Sequence, residues 1–348
     1  MGDLRTHVTS WPGQGSPASV LRGVGSCLPP RRVENQELAE RLGRSPEWIF
    51  QRSGIRYRHV VEPGTTSGDL AVAAGREALA RSALSDVGAV VVATTSPDRP
   101  CPGTAPSVAS RLGMTGVTAL DVQAVCAGFV YALGVAQGLI AAGTVDSALV
   151  IGTDTLSLSV APDDPTSMLF GDGAGAVVLR SGDRGDPGAL GPCVLGSDGG
   201  GRDLITVRGG GSEERSGAGA GGAPADPYLR LEGREVFWRA VEYMASASRE
   251  ALDAARWKPQ EVDRIVAHQA NARILAMLAQ RLGTTADRTL SNIDRVGNTS
   301  AASIPILLDH AARTGSLEPG HRILLTAFGG GLTWGAMTFV WPHFASSS

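Results

Sequence analysis

The sequence has few cysteines and no long apolar run. Its four cysteines, Cys27, Cys101, Cys126 and Cys193, lie far apart, without a CxxC pair or a histidine at zinc-ligand spacing. We therefore expect no metal site and a reducing, cytoplasmic setting. No apolar run approaches the roughly eighteen residues that span a bilayer, and the first residues lack a signal-peptide core. We expect a protein that is neither membrane-bound nor secreted.

Lysine is also scarce, and the chain has no excess of positive charge. The formal net charge is −3, the pI is near 6.1, and Lys258 is the only lysine. No basic run interleaved with aromatic residues occurs, so we expect no nucleic-acid partner. With 348 residues, 43% of them hydrophobic, the chain can form one large domain or two fused halves.

The chain repeats itself. "DVGAVVVATTSPDRPCPGTAPSVASRLG" (86–113) and "EVDRIVAHQANARILAMLAQRLG" (261–283) each combine a buried-strand pattern, a turn-rich link and a helix that ends in Arg-Leu-Gly. The next units, "VTALDVQAVCAGFVYALGVAQGLIAAG" and "RTLSNIDRVGNTSAASIPILLDHAARTG", also correspond. We predict a duplicated α/β unit, with an N-terminal half at 21–190 and a C-terminal half at 191–348.

Two segments fall outside this pattern. We expect residues 1–20 to form a flexible N-terminal extension. Residues 208–227, "RGGGSEERSGAGAGGAPADP", are rich in Gly, Ser and Ala without an apolar period, which predicts a mobile surface loop. In alternating α/β folds the ligand site lies at the strand ends and at the junction between halves, so neither segment is a candidate for chemistry.

Three polar residues are candidates for chemistry. In "DVQAVCAGF" Cys126 lies where a strand pattern meets a helix, whose N-terminus stabilises a thiolate and lowers its pKa. His268 ends an apolar strand in "IVAHQAN", and Asn298 in "RVGNTSAAS" occupies a corner related to that of Cys126. Taken singly, these residues are also consistent with a buried thiol, a core histidine and a turn asparagine. The duplication places all three near one axis, which favours a catalytic set.

Two glycine-rich segments, "FGDGAGA" (170–176) and "FGGGLTWG" (328–335), lead into strand patterns. A nucleotide-binding loop would lead into a helix, and the phosphate-loop Gly-Lys-Ser/Thr is absent. We therefore do not expect either segment to be a nucleotide-binding loop. Glycines also let backbone approach closely, which suits an oxyanion hole or a narrow substrate tunnel.

The ordered motifs "AVCAGF", "FGDGAGA", "AHQANARI", "GNTSAASIP" and "FGGGLTWG", with "EWIFQRSGIRYRH" (47–59), resemble the β-ketoacyl-acyl-carrier-protein synthase III family of the thiolase fold. The resemblance covers nearly the whole chain after about residue 20. It implies a duplicated five-layer αβαβα fold of the α/β class, a homodimer and no cofactor. It also implies a ping-pong reaction, in which an acyl group from acyl-CoA is condensed with malonyl-acyl carrier protein to start a fatty-acid or polyketide chain.

Carried over position by position, the resemblance gives Cys126, His268 and Asn298 as the catalytic residues. Cys126 would carry the acyl group, while His268 and Asn298 would donate hydrogen bonds to the enolate that follows loss of CO2. The backbone N–H groups of Cys126 and Gly330 would form the oxyanion hole. The resemblance implies further roles for CoA contacts at Trp48, Arg52 and Asn271, acyl-pocket walls at Cys101, Phe170 and Phe328, and carrier-protein docking at Arg273 and Arg239.

Three departures from the family pattern bear on these roles. "SVAPDDPTSML" before Phe170 lacks an arginine that many relatives use to grip adenine, so the CoA contact is weaker or the donor arrives on a carrier protein. Trp238 stands where relatives often carry a docking lysine. Cys101 stands where acetyl-selective relatives carry a large phenylalanine that reaches across the dimer, which predicts acyl groups longer or more branched than acetyl.

Two other activities fit part of the pattern. A related enzyme could transfer the acyl group from Cys126 to a hydroxyl, amine or carrier thiol without condensation, and an Asp in place of Asn298 would favour that activity. A papain-type hydrolase also uses Cys, His and Asn, but its "CGSCW"-like surroundings are absent. The sequence favours condensation.

Overall fold

The computed structural model describes residues 7–8, 16–218 and 225–344. The described strands are β1 (His7–Val8), β2 (Ala18–Cys27), β3 (Arg31–Glu34), β4 (Tyr57–Val60), β5 (Ala89–Ala93), β6 (Thr118–Val122), β7 (Ser147–Asp154), β8 (Gly173–Gly182), β9 (Leu190–Ser197), β10 (Ile205–Thr206), β11 (Arg230–Leu231), β12 (Arg264–Ala267), β13 (Arg322–Gly329) and β14 (Thr333–Val340). The described helices are α1 (Asn35–Leu42), α2 (Pro46–Ser53), α3 (Ser67–Ser82), α4 (Thr104–Arg111), α5 (Gly128–Ala141), α6 (Ser212–Arg215), α7 (Gly233–Ala255), α8 (Ala272–Leu282), α9 (Ile293–Val296) and α10 (Ser303–Arg313).

Two five-stranded sheets share one topology. The first has the order β2-β8-β7-β5-β6 and the second the order β1-β9-β14-β13-β12. Within the first sheet β5 and β7 are parallel and β8 runs antiparallel to β7 and β2; β12, β13, β14 and β9 repeat this pattern. A single parallel bridge from Ile265 to Thr289 stands where β6 stands in the first sheet. The chain is therefore a duplicated α/β unit.

The helices form three layers around the two sheets. α5 and α10 lie between the sheets and join one apolar cluster with the inner faces of both, for example Leu133 and Leu307 with Val91 and Leu325. α3 and α4 cover the outer face of the first sheet, and α7 and α8 cover that of the second. The layer order is α-β-α-β-α, which confirms the predicted five-layer fold.

The strand β5 shows why the sheets form. Its sequence is "AVVVA", and every residue is buried, as expected for a parallel strand covered on both faces. Val91 faces α5, whereas Val90 and Val92 face the outer helices α3 and α4, so successive side chains alternate between the two faces.

The helix α10 approaches the first sheet closely. A Cβ atom on Gly152 of β7 would lie 2.3 Å from the carbonyl oxygen of Ala301, and one on Gly175 of β8 would lie 2.6 Å from the Ile306 nitrogen. Real Cβ contacts are longer, so glycine is required at both positions. These glycines set the distance between the first sheet and the start of α10, where the C-terminal half contributes to the site.

Both segments predicted to be irregular lie partly outside the described residues, so their predicted mobility stays a prediction. Residues 1–6 and 9–15 lie outside the described residues, but His7–Val8 pairs with β9, and β2 already begins at Ala18. Residues 219–224 of the predicted loop also lie outside the described residues. Before them α6 forms a helical turn, and the Glu214 carboxylate accepts hydrogen bonds from the N–H groups of Gly210 and Ala225. The boundary between halves near residue 190 stays a prediction.

Among the described helices, none combines the length and apolar character that a bilayer crossing requires.

Candidate active site

Cys126 lies at the junction between β6 and α5. A 3-10 turn over Val125–Ala127 connects them, and Val125 has a φ of 47°, in the left-handed region that β-branched residues rarely adopt. The turn places Cys126 two residues before the first residue of α5, with 9% of its surface exposed. The thiol is thus held at a helix entrance at the base of a cavity.

Burial dominates the electrostatics of this thiol. Desolvation raises the pKa of Cys126 to about 12, whereas the hydrogen bond from the Ser300 hydroxyl, 3.5 Å from Sγ, lowers it and the nearby Asp154 carboxylate raises it. The expected lowering by the helix N-terminus is therefore wrong as a net direction, because the loss of water outweighs the helix dipole. At neutral pH the resting group is a thiol.

His268 follows the last residue of β12. Its N–H donates to the carbonyl of Thr326 at 2.9 Å, and its Nδ1 lies 2.7 Å from the Ser303 hydroxyl. That hydroxyl also accepts the Gln269 N–H at 3.3 Å. With the hydroxyl proton on the side of Nδ1, the ring proton is on Nε2, which can then donate. Burial lowers the pKa of His268 to about 3, so the ring is a neutral donor.

Asn298 is held by backbone and side-chain bonds together. Its N–H donates to Leu169 at 2.8 Å, and its carbonyl accepts the Gly171 N–H at 3.0 Å. Its Oδ1 accepts the N–H of Ser300 at 2.9 Å. Because that bond fixes which end of the amide is the acceptor, the NH2 group remains as the donor toward the cavity.

The structure brings the three predicted catalytic residues into one cavity of about 150 Å³. Cys126, His268 and Asn298 line it together with the predicted wall residues Phe170 and Phe328. The rest of the wall is mostly aliphatic or aromatic, including Leu156, Leu169, Ile205, Leu229, Leu231, Val236, Phe237, Met244 and Ile274. An apolar wall excludes water and strengthens the few polar contacts inside.

The sequence predicted that Asn298 corresponds to Cys126 in the duplicated unit, but a different residue corresponds to Cys126 in the structure. Val125 and Ser300 both have left-handed backbone, with φ of 47° and 51°, and each begins a 3-10 turn that leads into α5 or α10. Ala301 is thus the counterpart of Cys126, and Asn298 lies three residues earlier. Asn298 reaches the site from the strand side of the turn and not from the helix entrance.

The second glycine-rich segment packs against the Cys126 turn. A Cβ on Gly329 would lie 2.7 Å from the Cys126 nitrogen, so glycine is required for this approach. The Thr333 hydroxyl lies 2.8 Å from the carbonyl oxygen of Ala124 and 3.0 Å from that of Gly330, which ties the two loops together. The predicted oxyanion-hole role of the Cys126 and Gly330 N–H groups stays a prediction.

The predicted CoA contacts cluster at the mouth of the cavity. Trp48 on α2 is half-buried, with the guanidinium groups of Arg44 and Arg52 5.2 and 5.5 Å from its ring centroid. Asn271 donates to the carbonyl of Arg52 at 3.0 Å and caps α8 by accepting the Arg273 N–H at 2.9 Å. Since Asn271 also lines the cavity, it connects α2 to the site.

Two predicted residues lie elsewhere. Cys101 is exposed and does not line the cavity within one chain. Arg239 is held on α7 by an ion pair with Glu235 at 2.8 Å, on a different side of the helix from Phe237. Arg273 lies 5.8 Å from the Phe237 ring, which lines the cavity. The predicted docking role of Arg273 and Arg239 stays a prediction.

Sequence reasoning missed three polar residues behind the site. Ser300 contacts the Cys126 sulfur, and Ser303 orients His268. Asp154, at the end of β7, is fully buried and accepts the N–H groups of Thr95 at 2.7 Å and Ala301 at 3.2 Å. The available signals were a carboxylate ending an apolar strand in "VIGTDT" and the serines of "GNTSAAS".

Fold and cavity together point to a class, the thiolase-fold acyltransferases, with Cys126 as the candidate nucleophile. Comparison with known proteins gives the family. The sequence model of the family described as "3-oxoacyl-[acyl-carrier-protein (ACP)] synthase III" matches residues 120–199. The model of that family's C-terminal part matches residues 252–341. The chain belongs to the 3-oxoacyl-acyl-carrier-protein synthase III family of condensing enzymes.

The most similar relatives cover almost the whole chain. A Streptomyces coelicolor protein named β-ketoacyl-[acyl-carrier-protein] synthase III 3 is 56% identical over 328 residues, which are 93% of this chain and 98% of that protein. The crystal structure of the 3-oxoacyl-(acyl carrier protein) synthase III of Pseudomonas aeruginosa has a TM-score of 0.89 at 46% identity, covering 94% of this chain and 99% of that one. A priming β-ketosynthase from a polyketide pathway has a TM-score of 0.87 at 33% identity, covering 95% and 98%.

Proposed function

We propose that this condensing enzyme joins an acyl starter, held on Cys126, to malonyl-acyl carrier protein and so initiates a fatty-acid or polyketide chain. The observation that carries the proposal is the convergence of Cys126, His268 and Asn298 on one apolar cavity. The names of its relatives, which include β-ketoacyl synthases III and a polyketide priming ketosynthase, support both product classes.

The first half-reaction is acyl transfer. The Cys126 sulfur attacks the thioester carbonyl of acyl-CoA, a new C–S bond forms, and the bond to the CoA sulfur breaks. The thiol proton ends on the sulfur of the released CoA, so the step balances in protons. N–H groups of Cys126 and Gly330 hold the oxyanion of the tetrahedral intermediate.

The second half-reaction is decarboxylative condensation. Malonyl-carrier protein loses CO2, and the electron pair of the broken C–C bond forms an enolate. His268 Nε2–H and the Asn298 amide donate to the enolate oxygen, each contributing about 2–4 kcal/mol. The enolate carbon then attacks the acyl carbonyl, and the bond to the Cys126 sulfur breaks to release a 3-ketoacyl-carrier protein. Decarboxylation supplies the electron pair, so we propose no cofactor.

The arrangement at the cavity mouth supports acyl-CoA as the donor. The Trp48 ring offers a stacking surface for a base, and Arg44 and Arg52 supply positive charge for phosphates. Arg273, exposed beside Phe237 at the mouth, is the proposed contact for an acidic carrier protein. Arg239, half-exposed on α7, is a second proposed contact.

We propose that the enzyme is a homodimer joined along β6. In the described part of the chain β6 pairs only with β5, and its half-buried Leu120 and Val122 leave an apolar edge for another strand. Asp121 on β6 accepts the Thr104 N–H, so the loop with Cys101 is held beside this edge. A second subunit would then receive Cys101 at its acyl cavity, which supports starters larger than acetyl.

The cysteines support a cytoplasmic location. Among the described residues, Cys27, Cys101 and Cys126 form no disulfide, as expected in a reducing compartment.

Intact-protein mass spectrometry tests the function directly. The enzyme is mixed with a panel of acyl-CoAs and then with malonyl-carrier protein, with Cys126→Ala as the control. We expect an acyl adduct on Cys126 that is discharged as a ketoacyl-carrier with loss of CO2. The contradicting outcome is an acyl adduct that does not react with malonyl-carrier protein but is removed by a hydroxyl, an amine or free carrier protein. That outcome would identify simple acyl transfer.

A further inference from the structure

Ser300 is the polar side chain that contacts the reacting sulfur. It is completely buried, and its hydroxyl donates to Cys126 Sγ across 3.5 Å, an ordinary length for a bond to sulfur. Its backbone N–H donates to Asn298 Oδ1. Ser300 therefore connects the nucleophile with one of the two enolate donors, although the reaction steps above give its hydroxyl no task.

Asp154 lies behind Ser300. This buried carboxylate accepts N–H groups of Thr95 at 2.7 Å and Ser96 at 3.1 Å through Oδ1, and that of Ala301 at 3.2 Å through Oδ2. The Ser300 hydroxyl also bonds to this carboxylate, so its one proton goes either to Asp154 or to Cys126 Sγ, and negative charge on the sulfur draws it to Sγ. A single side chain of the N-terminal half thus holds the turn that begins α10 in the C-terminal half.

These bonds explain how Ser300 keeps an unfavourable backbone. Its φ of 51° lies in the left-handed region, which costs about 1 kcal/mol for a residue other than glycine, asparagine or aspartate. The bond from its own N–H to Asn298 and the bond from the Ala301 N–H to Asp154 fix the peptides on both sides. The conformation aims the hydroxyl at the Cys126 sulfur.

We propose that Ser300 is a further catalytic residue, whose hydroxyl donates to the Cys126 sulfur whenever that sulfur carries negative charge, and that Asp154 is the residue that positions it. The inference rests on the acyl-Cys126 route proposed above. Negative charge develops on Sγ as the thiol gives up its proton during acyl transfer. It develops again in condensation, when the C–S bond breaks with its electron pair on sulfur.

The surroundings of the sulfur require such a donor. The titratable groups that face Cys126 are Asp154 from β7 and His268 from β12. The carboxylate disfavours a thiolate, and the neutral imidazole adds no positive charge. The O–H of Ser300 therefore opposes both burial and the field of Asp154 at the sulfur itself.

Ser300→Ala tests the proposal, with Thr299→Val as the matched control. Thr299 is the adjacent buried residue, and its hydroxyl has no hydrogen-bond partner among the described residues. For S300A we expect kcat to fall about 10- to 100-fold in both half-reactions, the range for loss of a bond to a charged group, with KM for acyl-CoA unchanged. Alkylation of Cys126 by iodoacetamide should slow by a similar factor at each pH. T299V should match the unaltered enzyme in every assay.

Either of two results would overturn the role of Ser300. In the first, Cys126 of S300A is alkylated and acylated as fast as in the unaltered enzyme. In the second, T299V loses as much activity as S300A. Should S300A fail to fold, Ser300→Gly takes its place, because glycine accepts the left-handed backbone. Alkylation requires neither acyl-CoA nor malonyl-carrier protein, so this readout holds even for an enzyme that does not condense.

A double-mutant cycle tests the role of Asp154. Asp154→Asn keeps the size of the side chain but replaces an acceptor oxygen by an NH2 group that opposes a backbone N–H. We expect it to lower kcat in both half-reactions and to add little to S300A in the double variant, because both act through one O–H···S bond. Fully additive losses, or unchanged rates in D154N, would refute the positioning role.

Discussion

Because His268 is buried as a neutral ring, it makes the free energy of unfolding depend on pH in acid. The pKa of an exposed histidine is about 6.5, and burial lowers that of His268 to about 3. Between these values the unfolded chain binds a proton that the folded chain does not bind. The free energy of unfolding therefore falls as the pH falls through this window, and the contribution is fully present only above the unfolded value.

The size of this effect follows from linkage. Each pH unit inside the window removes about 1.4 kcal/mol, so acidification from about pH 6.5 to about pH 4.5 removes about 3 kcal/mol. His268→Gln has no ring to titrate and retains an amide that can bond to Ser303. This variant should lack that part of the acid sensitivity. His310→Gln, at a half-buried position late in α10, keeps His268 and should retain it.

Urea unfolding of the three proteins at neutral pH and at about pH 4.5 provides the assay. The quantity to compare is the change in unfolding free energy between the two conditions. The reasoning is refuted if H268Q loses as much stability on acidification as the unaltered protein and H310Q do. The same argument predicts that the decarboxylation rate shows no inflection from His268 between neutral pH and about pH 5.

Three further substitutions test the proposed roles. Asn298→Asp replaces a donor by an acceptor, so mass spectrometry should find normal acyl-Cys126 but condensation slowed about 10²- to 10³-fold; equal loss of both steps would contradict this. Cys101→Phe should narrow the accepted starters toward acetyl, by about 0.8 kcal/mol for each methylene excluded, in a competition assay; an unchanged profile would count against Cys101 as a pocket wall. Trp48→Ala should raise KM for acyl-CoA about tenfold or more at constant kcat, and an unchanged KM would argue against base stacking.

The fold and the main site residues could be predicted because their signals are local or repeated. The run "AVVVA" can only be a covered strand in this pattern, and Cys126 lies between a strand pattern and a helix pattern that are both readable in one window. The duplication then supplied long-range information, since it placed His268 and Asn298 at the same axis as Cys126.

Properties that depend on packing between the halves could not be predicted. The direction of the Cys126 pKa shift was wrong because desolvation dominates it, and desolvation depends on how the folded chain packs around the thiol. Ser300 and Asp154, both distant in sequence, add a hydrogen bond that lowers the pKa and a negative charge that raises it. Asp154, Ser300 and Ser303 are ordinary polar residues in their own segments and acquire a role only when α10 packs against the first sheet.

The roles of single arginines and of Cys101 also depended on neighbours. Arg239 forms a half-exposed ion pair with Glu235 one helical turn earlier, and its docking role stays a prediction. Cys101 lies outside the cavity of its own chain, so its predicted contact requires a second subunit.

The division of the site between the two halves has a consequence for biosynthesis. The ribosome completes the segment with Cys126 well before it makes His268, Ser300 and the rest of the C-terminal half. Until those residues arrive, the nascent chain carries a cysteine without the partners that direct it toward thioesters. Acyl transfer and condensation at Cys126 therefore report that synthesis is finished and that both halves have paired, and two separately expressed halves should acquire these activities only on reassembly.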